Sequence, residues 1–179
     1  EILELEDLPP EPFEEKKEMG SINHSLVQSR LIKVLPDDNY AIATELSLDV
    51  SSPERQEVLK KCNISSDRTS PPETLIPDIC LFHAGEVDYL EPDEEDILKT
   101  EKVPLLCVEV ISPSQSSYQI LRKFRAYFAI GVKSCWYIDP RLKLVNVYSE
   151  NLRNVETFTK EDEVIDHRLD IRFPLTKIL

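Results

Sequence analysis

Hydrophobic and polar positions change their spacing several times along the first half of this chain, and each spacing predicts a different element. Apolar residues recur at helical spacing over 22–35, directly after Ser21, whose hydroxyl suits a helix N-cap. Apolar and polar residues alternate over 41–50, which predicts one half-buried strand. Residues 51–73 are polar and hold three prolines, so we predict a long excursion with a short helix near 54–61.

The second half of the chain is richer in strands. A nearly continuous apolar run over 103–111 is typical of a central strand that is covered on both faces. A helix is predicted over 116–130, where Gly131 ends it. Further strands are predicted over 75–82, 133–139, 143–149, 155–159 and 164–173, with an acidic surface insertion at 84–102. This order predicts an α/β (α+β) domain, in which helices flank one mixed β-sheet.

Composition narrows the class of protein. The chain has 179 residues, 41 % hydrophobic and 31 % charged, which is ordinary for a globular domain. We predict an acidic arm over residues 1–20 and a single domain over residues 21–179. No apolar run reaches the roughly 20 residues that span a bilayer, and the acidic start does not resemble a signal peptide. The four cysteines lack zinc-site spacing, so we expect reduced, buried thiols and a cytoplasmic protein without a membrane partner.

Charge is distributed unevenly. The net charge of −13 argues against a general nucleic-acid binder. Between Ile111 and Asn154, however, seven Lys or Arg stand against two acids, a net charge of +5. That segment predicts either one basic binding face or ordinary solvated side chains, and the sequence leaves both interpretations open.

Three charged residues occur where charge is costly or well placed for catalysis. Glu109 lies within the apolar run, where a carboxylate needs either a basic partner or a metal ion. Asp78 follows Pro77 at the start of another apolar run. Two interpretations stay open for it, a metal ligand or a turn residue. Lys123 lies at the border of the apolar stripe of its helix, about 60° from Ile120, and could reach a site or extend into solvent. Together the three suggest a metal-dependent phosphodiesterase.

These residues belong to a longer pattern that resembles a known family. The pattern consists of Pro77-Asp78, Glu109-Val110-Ile111-Ser112-Pro113-Ser114, Lys123 with Tyr127, Gly131-Val132, Trp136-Tyr137-Ile138-Asp139-Pro140 and Val147-Tyr148. It is similar to the large bacterial family named putative restriction endonucleases, within the PD-(D/E)XK nuclease superfamily. The similarity extends over roughly residues 21–148.

The resemblance implies a restriction-endonuclease-like core that cuts DNA with Mg²⁺ or Mn²⁺. The metal ligands it implies are Asp78, Glu109 and the backbone carbonyl of Val110. In this family the catalytic lysine comes from the helix after the second acid, and Lys123 matches that place. Auxiliary residues implied by the same comparison are Glu45, Gln119 and His24.

The resemblance also sets expectations for partners and leaves alternatives. Arg122, Arg125 and Lys133 are expected to contact DNA phosphates, and a homodimer would supply one site for each strand. Four residues before the lysine, family members usually carry an aspartate, and here the residue is Gln119. Together with the net charge, Gln119 motivates the alternative of a catalytically inactive nuclease-fold protein that binds or assembles. A hydrolase of smaller phosphate esters is a third hypothesis.

Overall fold

The computed structural model describes residues 20–64 and 70–179. Its helices are α1 (Ile22–Val34), α2 (Pro53–Lys61) and α3 (Ser117–Ile130), followed by a final 3₁₀ turn (Leu175–Lys177). Its strands are β1 (Tyr40–Thr44), β2 (Leu48–Asp49), β3 (Thr74–Leu75), β4 (Ile79–His83), β5 (Leu106–Val110), β6 (Ser134–Asp139), β7 (Leu144–Ser149), β8 (Asn154–Thr159), β9 (Glu163–Asp166) and β10 (Ile171–Pro174). The expected acidic arm lies outside the described residues, apart from Gly20.

A six-stranded mixed sheet forms the centre of the described structure, as the sequence predicts. Its strand order is β1-β4-β5-β6-β7-β8. Strands β5 and β6 are parallel, whereas the other neighbouring pairs are antiparallel. All five residues of β5 are buried, which confirms the central strand expected from its apolar run. Two short pairs, β2 with β3 and β9 with β10, lie outside this sheet.

Helices cover both faces of the sheet. On one face the core contains α1 residues such as Leu31, the β5 residue Val108, and residues of β9 and β10. On the other face it contains Leu59 of α2, Phe124 of α3, and Cys107 of β5. Alternate residues of β5 thus enter opposite cores, which is the period-2 pattern of a strand buried on both sides.

The strand predicted over 41–50 is wrong in one respect, because the chain breaks in its middle. Strand β1 ends at Thr44, and Glu45 adopts a left-handed conformation with φ of 51°. The backbone N–H of Glu45 donates to the carbonyl of Asp78, which is the last bond in register with the β1–β4 ladder. The chain then turns away, so that Leu48 and Asp49 pair with β3. The alternating segment thus forms two strands that pair with different partners.

The helix ends follow the predicted capping. The hydroxyl of Ser21 accepts a hydrogen bond from the N–H of His24 at the start of α1. Helix α3 begins with a Ser116 cap and ends at Gly131, whose φ of 113° favours glycine. None of the helices within 20–64 and 70–179 is long and apolar enough to cross a membrane.

Three cysteines form a row across the centre of the sheet. Cys80, Cys107 and Cys135 occupy paired positions on β4, β5 and β6, and all three are fully buried and unoxidised. Burial raises the pKa of each thiol. These three pack as small apolar residues, as the sequence predicts, whereas Cys62 is only half-buried.

Candidate active site

Asp78 lies at the point where β4 begins, next to the end of β5. The antiparallel register pairs Ile79 with Val108, and one further step places Asp78 beside Glu109. The Oδ2 atom of Asp78 accepts a hydrogen bond from the backbone N–H of Val110 at 2.7 Å. This carboxylate therefore accepts the β5 backbone N–H that a backbone carbonyl of the neighbouring strand would otherwise accept. The bond holds Asp78 next to Glu109.

Glu109 points from β5 toward α3 and is 1 % exposed. Its Oε1 atom lies 2.8 Å from Nζ of Lys123 and accepts a hydrogen bond from the hydroxyl of Tyr127 at 2.6 Å. Loss of hydration on burial raises the pKa of Glu109 to about 8. The nearby Lys123 opposes this shift, and the negative charge of Asp78 adds to it.

Helix α3 carries both partners of Glu109 on one face. Lys123 and Tyr127 are four residues apart, so they lie one above the other on the side that packs on the sheet. Nζ of Lys123 also donates to the carbonyl of Ile76 at 2.8 Å, in the segment that leads into Asp78. The lysine thus bridges the two chain segments that supply the acids.

Helix α1 approaches Asp78 from the other face of the sheet. Nε2 of His24 lies 3.1 Å from Oδ2 of Asp78, and this hydrogen bond raises the pKa of the imidazole. Gln28 donates from Nε2 to the carbonyl of Asp78 at 3.4 Å, and Glu45 donates its backbone N–H to the same oxygen at 3.2 Å. Among the described residues, the buried Nδ1 atom of His24 has no hydrogen-bond partner.

Gln119 occupies the N-terminus of α3 rather than the centre of the site. Its Oε1 atom accepts the N–H of Ser116 at 3.0 Å, and its own N–H donates to the hydroxyl of Ser116 at 3.3 Å. This reciprocal pair is a capping box, which satisfies two backbone donors at the start of the helix.

The three expected DNA-contacting residues differ in exposure. Lys133 is exposed and Arg125 is half-buried. Arg122, which the helical angles place away from the apolar stripe, is only 6 % exposed. Its guanidinium donates to the carbonyl of Asn63 at 3.3 Å and lies over the ring of Tyr118. Asn63, directly after α2, thus covers part of this side chain, and Arg122 is less accessible to a phosphate than Lys133.

The donor set of this site suits a hard divalent cation. Mg²⁺ commonly takes one or two carboxylates, substrate phosphate and several waters rather than a full protein cage. Within the described residues, no group of three or more His, Cys, Asp or Glu is arranged to hold a metal ion. Asp78 and Glu109 could supply two oxygens, and the carbonyl of Val110 could supply a third. A cation beside these acids would offset the repulsion that contributes to the raised pKa of Glu109.

Two contributors were not assigned roles from the sequence. Tyr127 stands in the family-like pattern without an assigned role, and its hydroxyl contacts Glu109. The signal available was its spacing of four residues from Lys123. Gln28 gave no signal, because its contact joins segments 50 residues apart.

Comparison with known proteins supports this fold. A crystal structure of a "putative nuclease belonging to DUF820" from Anabaena variabilis ATCC 29413 matches with a TM-score of 0.66. The two sequences are 19 % identical, and the match covers 91 % of this chain and 83 % of that one. A search of curated proteins found no match. The sequence profile of the Uma2 family, described as "Putative restriction endonuclease", matches residues 8–173. Since this match spans most of the sequence, the chain belongs to the Uma2 family of restriction-endonuclease-like proteins.

Proposed function

We propose that this chain is a metal-dependent endonuclease that hydrolyses phosphodiester bonds in DNA. One observation carries the proposal: two acids and a lysine from three distant segments meet at the ends of β4 and β5. Glu109 lies 2.8 Å from Lys123, and Asp78 is hydrogen-bonded to Val110, the residue after Glu109. Family membership supports a nuclease-like function.

Asp78 and Glu109 hold the metal ion in this proposal, with the carbonyl of Val110 as a third oxygen. When bound, Mg²⁺ or Mn²⁺ polarises the scissile phosphate and lowers the pKa of a coordinated water. The hydrogen bond from Val110 fixes the carboxylate of Asp78, so little reorganisation is required on binding. Tyr127 and Lys123 fix the carboxylate of Glu109 in the same way.

Lys123 supplies positive charge at the reacting phosphate. Its side chain is 12 % exposed, so its ammonium group acts in a poorly hydrated environment where electrostatic interactions are strong. Its bonds to Glu109 and to the Ile76 carbonyl direct Nζ toward the space beside both acids. In this position it stabilises charge that develops on the phosphate or orients the attacking water.

His24 is a positioning residue in this proposal. It contacts Oδ2 of Asp78, the oxygen that also accepts the Val110 N–H, and so helps to set the orientation of that carboxylate. Gln28 and the backbone of Glu45 hold the carbonyl of the same residue. Phosphate contacts fall to Arg125 and Lys133, whose side chains reach solvent.

Nicking of supercoiled plasmid at low salt, with Mg²⁺ or Mn²⁺, tests the proposal. We expect the wild-type protein to nick and Glu109→Gln, which keeps the shape of the side chain, to fall to the level without enzyme. Glu156→Gln on the edge strand β8 is the matched control and should cut like wild type. Cleavage that persists equally in Glu109→Gln would overturn the assigned site.

A catalytically inactive binding or assembly protein is the second candidate. It is favoured by the intramolecular partners of both acids and by Gln119, whose side chain is committed to capping α3. Calorimetric titration with Mn²⁺ separates the two candidates. Binding that Glu109→Gln removes supports the nuclease, whereas no binding together with no nicking supports the second candidate.

A further inference from the structure

An open groove runs along α1 and meets the backbone carbonyl of Asp78 at Gln28 and Glu45. It has a volume of about 410 Å³, within the range of roughly 300–1,000 Å³ typical of sites for small organic molecules. Its lining residues come from one face of α1 and from the end of β1. They are Ser25, Gln28, Ser29, Ile32, Lys33, Thr44 and Glu45.

The groove and the proposed metal site share a boundary. Gln28 and Glu45, which line the groove, both donate hydrogen bonds to the carbonyl oxygen of Asp78. Glu45 lines the groove at the residue where φ is 51°, so the break after β1 helps to shape this wall. A substrate held at Asp78 would therefore have its next nucleotide within reach of the groove.

The chemistry of the lining favours a nucleobase over a phosphodiester backbone. One lysine and one glutamate leave the groove without net positive charge, whereas backbone binding depends on several cations. The hydroxyls of Ser25 and Ser29 and the amide of Gln28 both donate and accept, which suits the polar edges of a base. Ile32 adds apolar surface on which the face of the base can pack, and the ammonium group of Lys33 can contact an adjoining phosphate.

We propose that this groove binds an unpaired nucleotide next to the scissile phosphate, so that the substrate is single-stranded or locally unpaired. A base within a duplex is stacked and has its pairing edge covered, and it could enter only after extrusion. The net charge of −13 is consistent with weak affinity for duplex DNA. This inference rests on the proposed function for the position of the scissile bond.

Binding measured without metal separates this inference from the proposed cleavage. Fluorescence anisotropy in EDTA, with a labelled single strand of about 16 nucleotides and its blunt duplex, gives both affinities. We expect tighter binding of the single strand. Ser29→Trp fills the groove and should weaken that binding at least about tenfold, comparable to the loss of one base contact.

Asn23→Trp is the matched control, because Asn23 is exposed on the side of α1 away from the groove. It should bind like wild type, and circular dichroism should show that both variants remain folded. Ser25→Trp is a second variant in which a bulky side chain blocks the groove. Equal binding of single strand and duplex, absence of binding to either, or wild-type affinity in both blocked variants would overturn the inference, even if plasmid is nicked. Single-strand binding that only the blocked variants lose supports it, even if no nicking occurs.

Discussion

The hydroxyl of Tyr127 donates a hydrogen bond to Oε1 of Glu109 at 2.6 Å, and both residues are buried. The same oxygen faces Lys123, so this carboxylate receives two donors from one helix. The aromatic residue in the core of α3 is thus a structural support for an acid of the proposed site.

Tyr127→Phe tests that support. Above about pH 8, where Glu109 is ionised, loss of this hydrogen bond to a buried charged group should lower the free energy of unfolding by about 1.5–3 kcal/mol, measured by urea denaturation. Tyr118→Phe on the same helix is the control and should change it by less than about 0.5 kcal/mol, because its hydroxyl has no hydrogen bond to residues 20–64 or 70–179. Equal effects of the two variants would contradict the assigned role.

Lys123→Met should be more damaging than an ordinary surface substitution. It leaves Glu109 buried without its cation, which costs about 3–5 kcal/mol at pH values where the acid is ionised. The double variant Lys123→Met with Glu109→Gln should recover most of that loss, because the unpaired charge is gone. Lys133→Met, at an exposed position, should stay within about 0.5 kcal/mol of wild type. Additive losses in the double variant would contradict the pairing.

The stability of the metal-free protein should fall as pH rises. Burial raises the pKa of Glu109 from 4.5 to about 8. Between these values the folded state therefore binds a proton that the unfolded state has lost. The stabilisation from this group is complete below pH 4.5 and is lost as pH rises through about 8. Urea denaturation in EDTA should show this decline, and Glu109→Gln should flatten it. An unchanged pH dependence in the variant would count against the shift.

Gln119→Ala should affect the helix start. Removing one arm of the capping box is expected to lower the free energy of unfolding by about 0.5–2 kcal/mol. Because Ser116 and Gln119 act reciprocally, Ser116→Ala should cost less in the Gln119→Ala background than in wild type. Thermal or urea denaturation of the four proteins completes this cycle. Strict additivity would show that the two side chains act independently.

Substitution of Arg122 should affect the stability of the fold, whereas substitution of Lys133 should affect DNA binding. Arg122→Ala should lower the free energy of unfolding by about 1–3 kcal/mol, because a buried hydrogen bond and packing are lost. It should leave the salt dependence of DNA affinity unchanged. Lys133→Ala should leave stability unchanged and reduce the slope of log affinity against log salt by about 0.7–0.9. Anisotropy titrations at several salt concentrations measure this slope, and equal slopes for wild type and Lys133→Ala would remove Lys133 from the binding face.

Elements governed by local rules could be predicted from the sequence. The apolar run of β5, the Ser21 cap and the Gly131 stop each specify their element within a few residues. The break at Glu45 could not, because the alternation of residues continues through it, while β1 pairs with β4 and β2 pairs with β3. The burial of Arg122 also depends on a distant residue, since its partner Asn63 lies 59 residues away.

The pairing of the acids was predictable only through the resemblance. Glu109 alone indicated a buried charge that needed a partner, and either a basic residue or a metal would serve. The structure shows a basic partner, Lys123, and it also places Asp78 alongside. The groove beside α1 had no sequence signal, because its walls come from α1 and from the turn after β1.

The contacts of Asp78 have a consequence for folding. Its side chain and carbonyl join segments that are separated by 54, 50 and 32 residues at His24, Gln28 and Val110. Closing such long loops is entropically costly, so contacts of this range form late, when most of the chain has already collapsed. A nascent chain that ends before β5 has both Asp78 and α1 but lacks the strand that holds the carboxylate in place. Under the proposed function, hydrolytic competence would therefore arise only after β5 has paired with β4.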